Sequence, residues 1–186
     1  MIYIYNTLVH LLLIFSIPVL PFIFFLNRKR KATMLQRFGL KSQLEDFLTN
    51  GKIWVHALSV GEVKSAFPFL AGFKERKPDV QIVFSASTLS GYNLARELYL
   101  KDEAGAYVDQ LVFFPYDLPW SIKRLTEKIR PDLVVIVETD LWPNFLCHMK
   151  MCRIPVVLIN ARLSQRTFNG YKLYKKMSFP FYNWLS

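Results

Sequence analysis

The chain has 186 residues, enough for one domain of ordinary size, and carries 24 Lys and Arg against 14 Asp and Glu, a formal net charge of +10. A balance this basic points to an anionic partner, either nucleic acid or a membrane surface with its lipids. The two cysteines, Cys147 and Cys152, are too few and too close in sequence for a disulfide framework and fit a reducing compartment.

In chain order, the first feature separates those two partners. Residues 1–26 contain no Asp, Glu, Lys or Arg, and about 20 apolar residues suffice to cross a bilayer. Asn27-Arg28-Lys29-Arg30-Lys31 follows at once. Cationic residues at one end of an apolar run place that end in the cytoplasm. The pattern predicts a membrane anchor over 1–26, with the rest of the chain on the cytoplasmic side. A cleaved signal peptide would carry its charges before the apolar run and a small-residue cleavage site after it; this sequence has the reverse charge order. Pro18 and Pro21 kink a helix, and Asn6, His10 and Ser16 lower its apolarity, so a shallow or re-entrant insertion stays open beside a full crossing.

Residues 27–51 form a basic juxtamembrane segment. Arg28, Lys29, Arg30, Lys31, Arg37 and Lys41 all precede the first acid after the anchor, Glu45. Such a run sets topology and attracts anionic headgroups; it also fits a surface for a phosphorylated lipid. With so much of the charge beside an apolar run, the expected partner is a membrane and not nucleic acid.

From Lys52 the pattern becomes that of an α/β domain extending to residue 186. Ile53 to Ser59 reads as a strand, and Gly61 to about Lys77 as a helix with Val63, Ala66, Phe67, Leu70 and Phe73 on one face. Gln81 to Ser87 is a second strand. Gly91 to about Lys101 is a second helix, with Leu94, Ala95 and Leu98 facing inward. Leu111 to Phe114 is a third strand. Asp117 is placed to cap the helix that Pro119 opens and Pro131 stops. Leu133 to Val137 is an unbroken apolar run, as a central parallel strand requires. Trp142 to about Cys152 is the next helix, and Val156 to Asn160 the fifth strand. Alternating strands and helices with short connections imply βαβ units and a Rossmann-like open parallel sheet.

Such sheets bind ligands outside the carboxyl ends of their strands. Here those ends carry Ser59, Gly61 and Glu62; Ser87 and Thr88; Glu138 and Asp140; and Asn160 and Arg162. Two readings of Glu62 stand side by side. An acid in the first turn of a helix favours the positive end of the helix dipole by roughly 0.3–1 kcal/mol. A carboxylate there can also act as a general base toward a hydroxyl, with Gly61 allowing close approach to the backbone. His56 reads as a core histidine. Cys147, His148 and Cys152 lack a fourth ligand at zinc-site spacing, and no glycine-rich phosphate loop is present, so neither metal nor cofactor is expected.

Several blocks carry a family resemblance. His56-Ala57-Leu58-Ser59-Val60-Gly61-Glu62-Val63 is the first, and Pro115-Tyr116-Asp117-Leu118-Pro119 the second. The third is Arg130-Pro131-Asp132-Leu133 followed by Glu138-Thr139-Asp140-Leu141-Trp142-Pro143-Asn144. The fourth is Ile154-Pro155-Val156-Val157 with Asn160-Ala161-Arg162-Leu163-Ser164, and Arg37-Phe38-Gly39 precedes them all. In order and spacing these resemble the 3-deoxy-D-manno-octulosonic acid (Kdo) transferase family. The resemblance implies the N-terminal half of a two-domain GT-B glycosyltransferase, with Glu62 as catalytic base. It also implies that this half holds a lipid A precursor (lipid IVA), while a C-terminal half binds the donor CMP-Kdo. Carried onto this chain, the acceptor contacts are Arg37, Ser59, Gly61, Ser87, Thr88, Glu138, Asp140, Asn160 and Arg162. Asp140 stands where the family usually has Glu, and Ser85, Ser87 and Thr88 stand in an element usually built from Thr. Complete members are about twice this length, so the donor-binding half is expected to be missing and the chain alone inactive. The alternative is a noncatalytic membrane-anchored lipid-binding or scaffold module.

Overall fold

The computed structural model describes residues 2–16, 18, 28–40, 44, 51–100, 106–138 and 142–161. Two helices, α1 (Ile2–Ser16) and α2 (Arg28–Arg37), lead into an alternating domain. It runs β1 (Lys52–Ala57), α3 (Val60–Arg76), β2 (Gln81–Ala86), α4 (Leu89–Ala95, continued by a wider π-helical turn Arg96–Leu100) and β3 (Gln110–Phe113). It closes with α5 (Pro119–Ile129), β4 (Leu133–Val137), α6 (Pro143–Met151) and β5 (Val156–Ile159).

The five strands form one sheet in the order β3-β2-β1-β4-β5, and every neighbouring pair is parallel. Side chains alternate across each strand, and both faces are covered. Val55, Ala57, Val135 and Val137 pack with Val63, Leu70 and Tyr99 from α3 and the end of α4. Trp54, Val134 and Ile136 pack with Ile122, Leu125, Phe145 and Met149 from α5 and α6. This double burial explains the unbroken apolar run of β4. Each fully buried Val, Ile or Phe contributes roughly 1.5–3 kcal/mol, so these two layers outweigh any single cap. Because α3 and α4 cover one face and α5 and α6 the other, the winding reverses between β1 and β4.

His56 is a core histidine, as its alternation suggests. It is fully buried and stacked on Phe114 at 3.7 Å between ring centroids. Its Nδ1 lies 3.0 Å from the Ser85 hydroxyl, which also accepts the Trp54 indole N–H at 2.8 Å. Ser85 is thereby spent inside the core.

The structure corrects two inward-facing assignments. Leu98 is 39% exposed and Tyr99 is buried in its place. The π-helical turn adds a fraction of a residue per turn and rotates the next position inward, where the Tyr99 hydroxyl donates to the Val63 carbonyl. Phe67 is 41% exposed, because the inner face of α3 is already filled by Val63, Ala66 and Leu70. Among the described residues, no helix is long and apolar enough to cross a membrane. Within the expected anchor, α1 covers 15 residues, and residues 19–26 lie outside the described set.

Candidate functional site

A parallel sheet brings all its strand ends to one edge, and the candidate residues collect there. From β3 to β5 they follow as Arg37 over Phe113, then Ser87 and Thr88, then Ser59 and Glu62, then Glu138, then Asn160. Four strand gaps at about 4.8 Å each give an edge roughly 19 Å wide. Its middle, between β1 and β4, is the point where the winding reverses, the place where open α/β sheets generally bind ligands. Asp140 and Arg162 lie outside the described residues.

Glu62 sits at that middle position in the first turn of α3, 7% exposed. Ser59 is the N-cap, and its hydroxyl accepts the Glu62 N–H at 3.5 Å. The Glu62 carboxylate turns back: Oε2 accepts the Leu58 N–H at 2.5 Å, and Oε1 lies 3.4 Å from the Ser59 hydroxyl. This is a reciprocal capping arrangement, reached one residue further back than usual. Its Ser-x-x-Glu spacing was present in the sequence as a signal beyond the helix dipole. The two bonds fix the carboxylate's direction beside the reversal point.

The β1–β2 pairing extends past the strand ends. Ser87 N–H donates to Ala57 O at 3.3 Å, and Thr88 N–H to Leu58 O at 3.2 Å. Thr88 is the N-cap of α4, its hydroxyl oxygen accepting the Gly91 N–H at 3.0 Å. The hydroxyl proton is the part that can turn outward. A Cβ on Gly91 would meet that oxygen at 2.9 Å and the Ser59 carbonyl carbon at 3.5 Å, so Gly91 lets the two turns touch. A Cβ on Gly61 would meet only Ser59 Oγ, at 3.8 Å. No packing within the described chain demands glycine there.

Beyond β4 and β5 the backbone is strained. Glu138 has φ +66° and Asn160 φ +50°. Left-handed backbone costs an ordinary L residue about 1–2 kcal/mol, and Asn tolerates it better than Glu. Arg130 and Arg153 share the conformation, but they follow the ends of α5 and α6, where it is an ordinary way to end a helix. Glu138 follows a strand, half-buried, with its N–H donating to Ile159 O at 2.9 Å. Strain of this kind collects at functional sites.

Arg37 reaches the far end of the edge from α2. Its guanidinium lies 5.3 Å from the Phe113 ring centre and 5.6 Å from that of Tyr116. Burial pushes it below its ordinary value, with Tyr116 opposing; an arginine stays charged nonetheless. Its carbonyl accepts Tyr116 N–H at 3.2 Å and the Ser121 hydroxyl. These bonds dock α2 onto the turn between β3 and α5.

In that turn Asp117 takes a role its sequence position hides. The N-cap of α5 is Leu118, with no side-chain cap bond. Asp117 instead caps α6: its carboxylate accepts Asn144 N–H at 3.1 Å and Phe145 N–H at 2.9 Å, and its carbonyl accepts the Asn144 side-chain amide at 2.7 Å. It lies one residue too early to cap α5, whereas Trp142, the N-cap of α6, has no side-chain acceptor to offer. The same carboxylate accepts the Tyr5 hydroxyl of α1 at 2.8 Å. Among the described residues, no three His, Cys, Asp or Glu side chains are grouped to hold a metal ion.

Residues 32–186 match the family model of 3-deoxy-D-manno-octulosonic-acid transferase (Kdo transferase). The chain is 33% identical over 164 residues to a 3-deoxy-D-manno-octulosonic acid transferase of Haemophilus influenzae, covering 87% of this chain and 37% of the relative. Proteins of the same name from Chlamydia trachomatis and Aquifex aeolicus are each 34% identical, covering 67% and 69% of this chain and 28% and 32% of their own lengths. The chain thus spans about a third of the length of these curated relatives. On the strength of the family model and these identities, the chain belongs to the Kdo transferase family.

Proposed function

We propose that this chain is the acceptor-binding half of a GT-B glycosyltransferase that moves Kdo from CMP-Kdo to a lipid A precursor, lipid IVA, in lipopolysaccharide core biosynthesis. The observation that carries the reading is the position of Glu62: a carboxylate oriented by Leu58 N–H and Ser59, at the point of the sheet where winding reverses. The acceptor hydroxyl gives its proton to this carboxylate as its oxygen attacks the anomeric carbon of Kdo. The bond from that carbon to the phosphate oxygen of CMP breaks, and CMP leaves. Arg37, Ser59, Gly61, Ser87, Thr88, Glu138, Asp140, Asn160 and Arg162 contact the acceptor along the edge. The open space at Gly61 supports close approach of a sugar there. The α/β domain works on the cytoplasmic face of a bacterial inner membrane, attached through the leading segment, and the donor half binds CMP-Kdo.

The test joins this chain to the part of the Haemophilus influenzae relative that it does not match. In that chimera Glu62→Gln keeps the size of the side chain and removes the base. Turnover is expected to fall 10²–10⁴-fold, with acceptor binding retained and melting temperature nearly matched. A second reading, a noncatalytic lipid-binding module, draws on the fact that the Glu62 carboxylate is already engaged as a capping group. Near-normal turnover in Glu62→Gln with loss in Asp140→Asn would move the base to Asp140. A chimera inactive with either side chain, yet still binding lipid, would favour the noncatalytic module.

A further inference from the structure

Helix α1 is divided lengthwise. Tyr5, Val9 and Leu13, four residues apart, line a cavity of about 290 Å³ shared with Met34, Phe38 and Leu118. The opposite arc carries Tyr3, Ile4, Leu8, Leu11, Leu12, Ile14 and Phe15, from 45% to 82% exposed. An apolar arc of this extent on a soluble surface marks a membrane or partner contact. The polar side chains nearby, Thr7 and His10 exposed and Ser16 half-buried, bond the helix's own carbonyls. Thr7 donates to Tyr3 O at 2.9 Å, Ser16 donates to Leu13 O at 2.7 Å, and His10 Nδ1 lies 2.6 Å from Asn6 O. Polar groups satisfied within their own helix avoid the cost of entering hydrocarbon unpaired. No acidic residue occurs before Glu45, while six basic residues do, a charge pattern complementary to anionic headgroups.

The Tyr5–Asp117 hydrogen bond fixes how such a helix meets a bilayer. If residues 1–26 crossed as one helix, Tyr5 would lie on the order of 30 Å along it from the cytoplasmic end. The hydrogen bond instead holds Tyr5 2.8 Å from a residue of the α/β domain. We propose that α1 lies in the plane of the membrane surface, clamped to the α/β domain through Tyr5 and Asp117, with its exposed arc in lipid, and does not cross the bilayer. This rests on the membrane placement proposed above and replaces a crossing by a one-sided insertion. The occupant of the exposed arc is the headgroup–acyl boundary of an anionic leaflet.

The test reads depth at two points of the arc. Nitroxide labels are placed at Ile4→Cys and at Phe15→Cys, in the full chain carrying Cys147→Ser and Cys152→Ser, bound to phosphatidylglycerol-containing vesicles. Those positions are about 16 Å apart along the helix axis. In-plane insertion gives the two labels nearly equal depths, within roughly one turn's rise of about 5 Å, by oxygen and water-soluble relaxant collision. A depth difference near 16 Å would mean a crossing helix and overturn the proposal. Labels shielded from both oxygen and relaxant, with or without vesicles, would mean that protein, such as a second copy, covers the arc, and would also overturn it. Failure to bind vesicles at all would remove the membrane placement itself, separately from the Glu62→Gln assay. Tyr5→Phe is expected to leave vesicle binding intact and sharpen the spectrum of the label at residue 4 by releasing the clamp; an unchanged spectrum would count against the clamp.

Discussion

Two strand-to-helix turns on the same edge of the sheet each carry a carboxylate, and the two are used in opposite ways. In the turn between β1 and α3, Glu62 bonds to Leu58 and Ser59, its near neighbours in sequence. In the turn between β3 and α5, Asp117 bonds to Tyr5, 112 residues earlier, and to Asn144 and Phe145, 27 and 28 residues later. The first is a local device that holds a side chain beside the point where the winding reverses. The second ties three elements together and presents nothing outward that the fold does not already use. Acids in two turns on the same edge of the sheet therefore divide into a candidate for chemistry and an organiser of structure. Their partners, not their residue type, make the division.

The largest stability effect expected from this contrast belongs to Asp117. Asp117→Ala leaves two N–H groups at the start of α6 without their acceptor and cuts α1 loose. Hydrogen bonds to charged groups contribute about 1.5–3 kcal/mol each when buried, less when half-exposed. A loss of about 2–3 kcal/mol, or roughly 5–10 °C in melting temperature, is expected by calorimetry. Glu62→Ala is expected to cost only about 1 kcal/mol, the usual worth of a local cap. Equal losses in the two variants would erase the distinction.

The same contrast explains what the sequence showed and what it hid. The strands around Val55, Phe84 and Val135 were legible because double burial demands apolar runs. Glu62 was legible as a first-turn acid after a strand, whereas its capping bonds to Leu58 and Ser59, though within four residues, emerge only in the structure. Asp117 was read as the cap of α5 because its true partners become neighbours only when β4 crosses to the other side of β1. Tyr99 was hidden by a π-helical turn that no apolar spacing announces. The packing of Arg37 against Phe113 and Tyr116 was likewise invisible, although Arg37 itself stood out in the Arg37-Phe38-Gly39 block.

A smaller effect sharpens the comparison within the candidate site. Gly91→Ala pushes a Cβ to 2.9 Å from the Thr88 oxygen, so the cap of α4 must give way. Losing a cap costs about 1 kcal/mol, partly offset by the better helix propensity of Ala. Gly61→Ala meets nothing closer than 3.8 Å and is expected to leave stability unchanged or slightly raised. In the chimera the order should reverse: Gly61→Ala weakens acceptor binding more than Gly91→Ala does. If Gly61→Ala bound acceptor normally, the space beside Glu62 would not be ligand space.

The smallest stability effect has the opposite sign, and Glu138 carries it. A glutamate at φ +66° pays about 1 kcal/mol that glycine would not pay. Glycine returns part of this through the greater freedom of the unfolded chain. Glu138→Gly is therefore expected to stabilise the chain slightly, by roughly 0.5 kcal/mol, as a small rise in melting temperature. A strained residue is retained only where its side chain or its backbone direction has a use. Glu138 stands at the end of β4, across the reversal point from Glu62. The chimera should accordingly become more stable and less active together, with the loss falling on acceptor binding, as expected when function opposes stability. Glu138→Asn separates the two contributions, since Asn accepts the left-handed backbone yet lacks the charge. If Asn restored activity, the backbone direction would be what matters; if it did not, the carboxylate would be. A Glu138→Gly chimera with full activity would mean that the strain serves no function, and Glu138 would leave the candidate site.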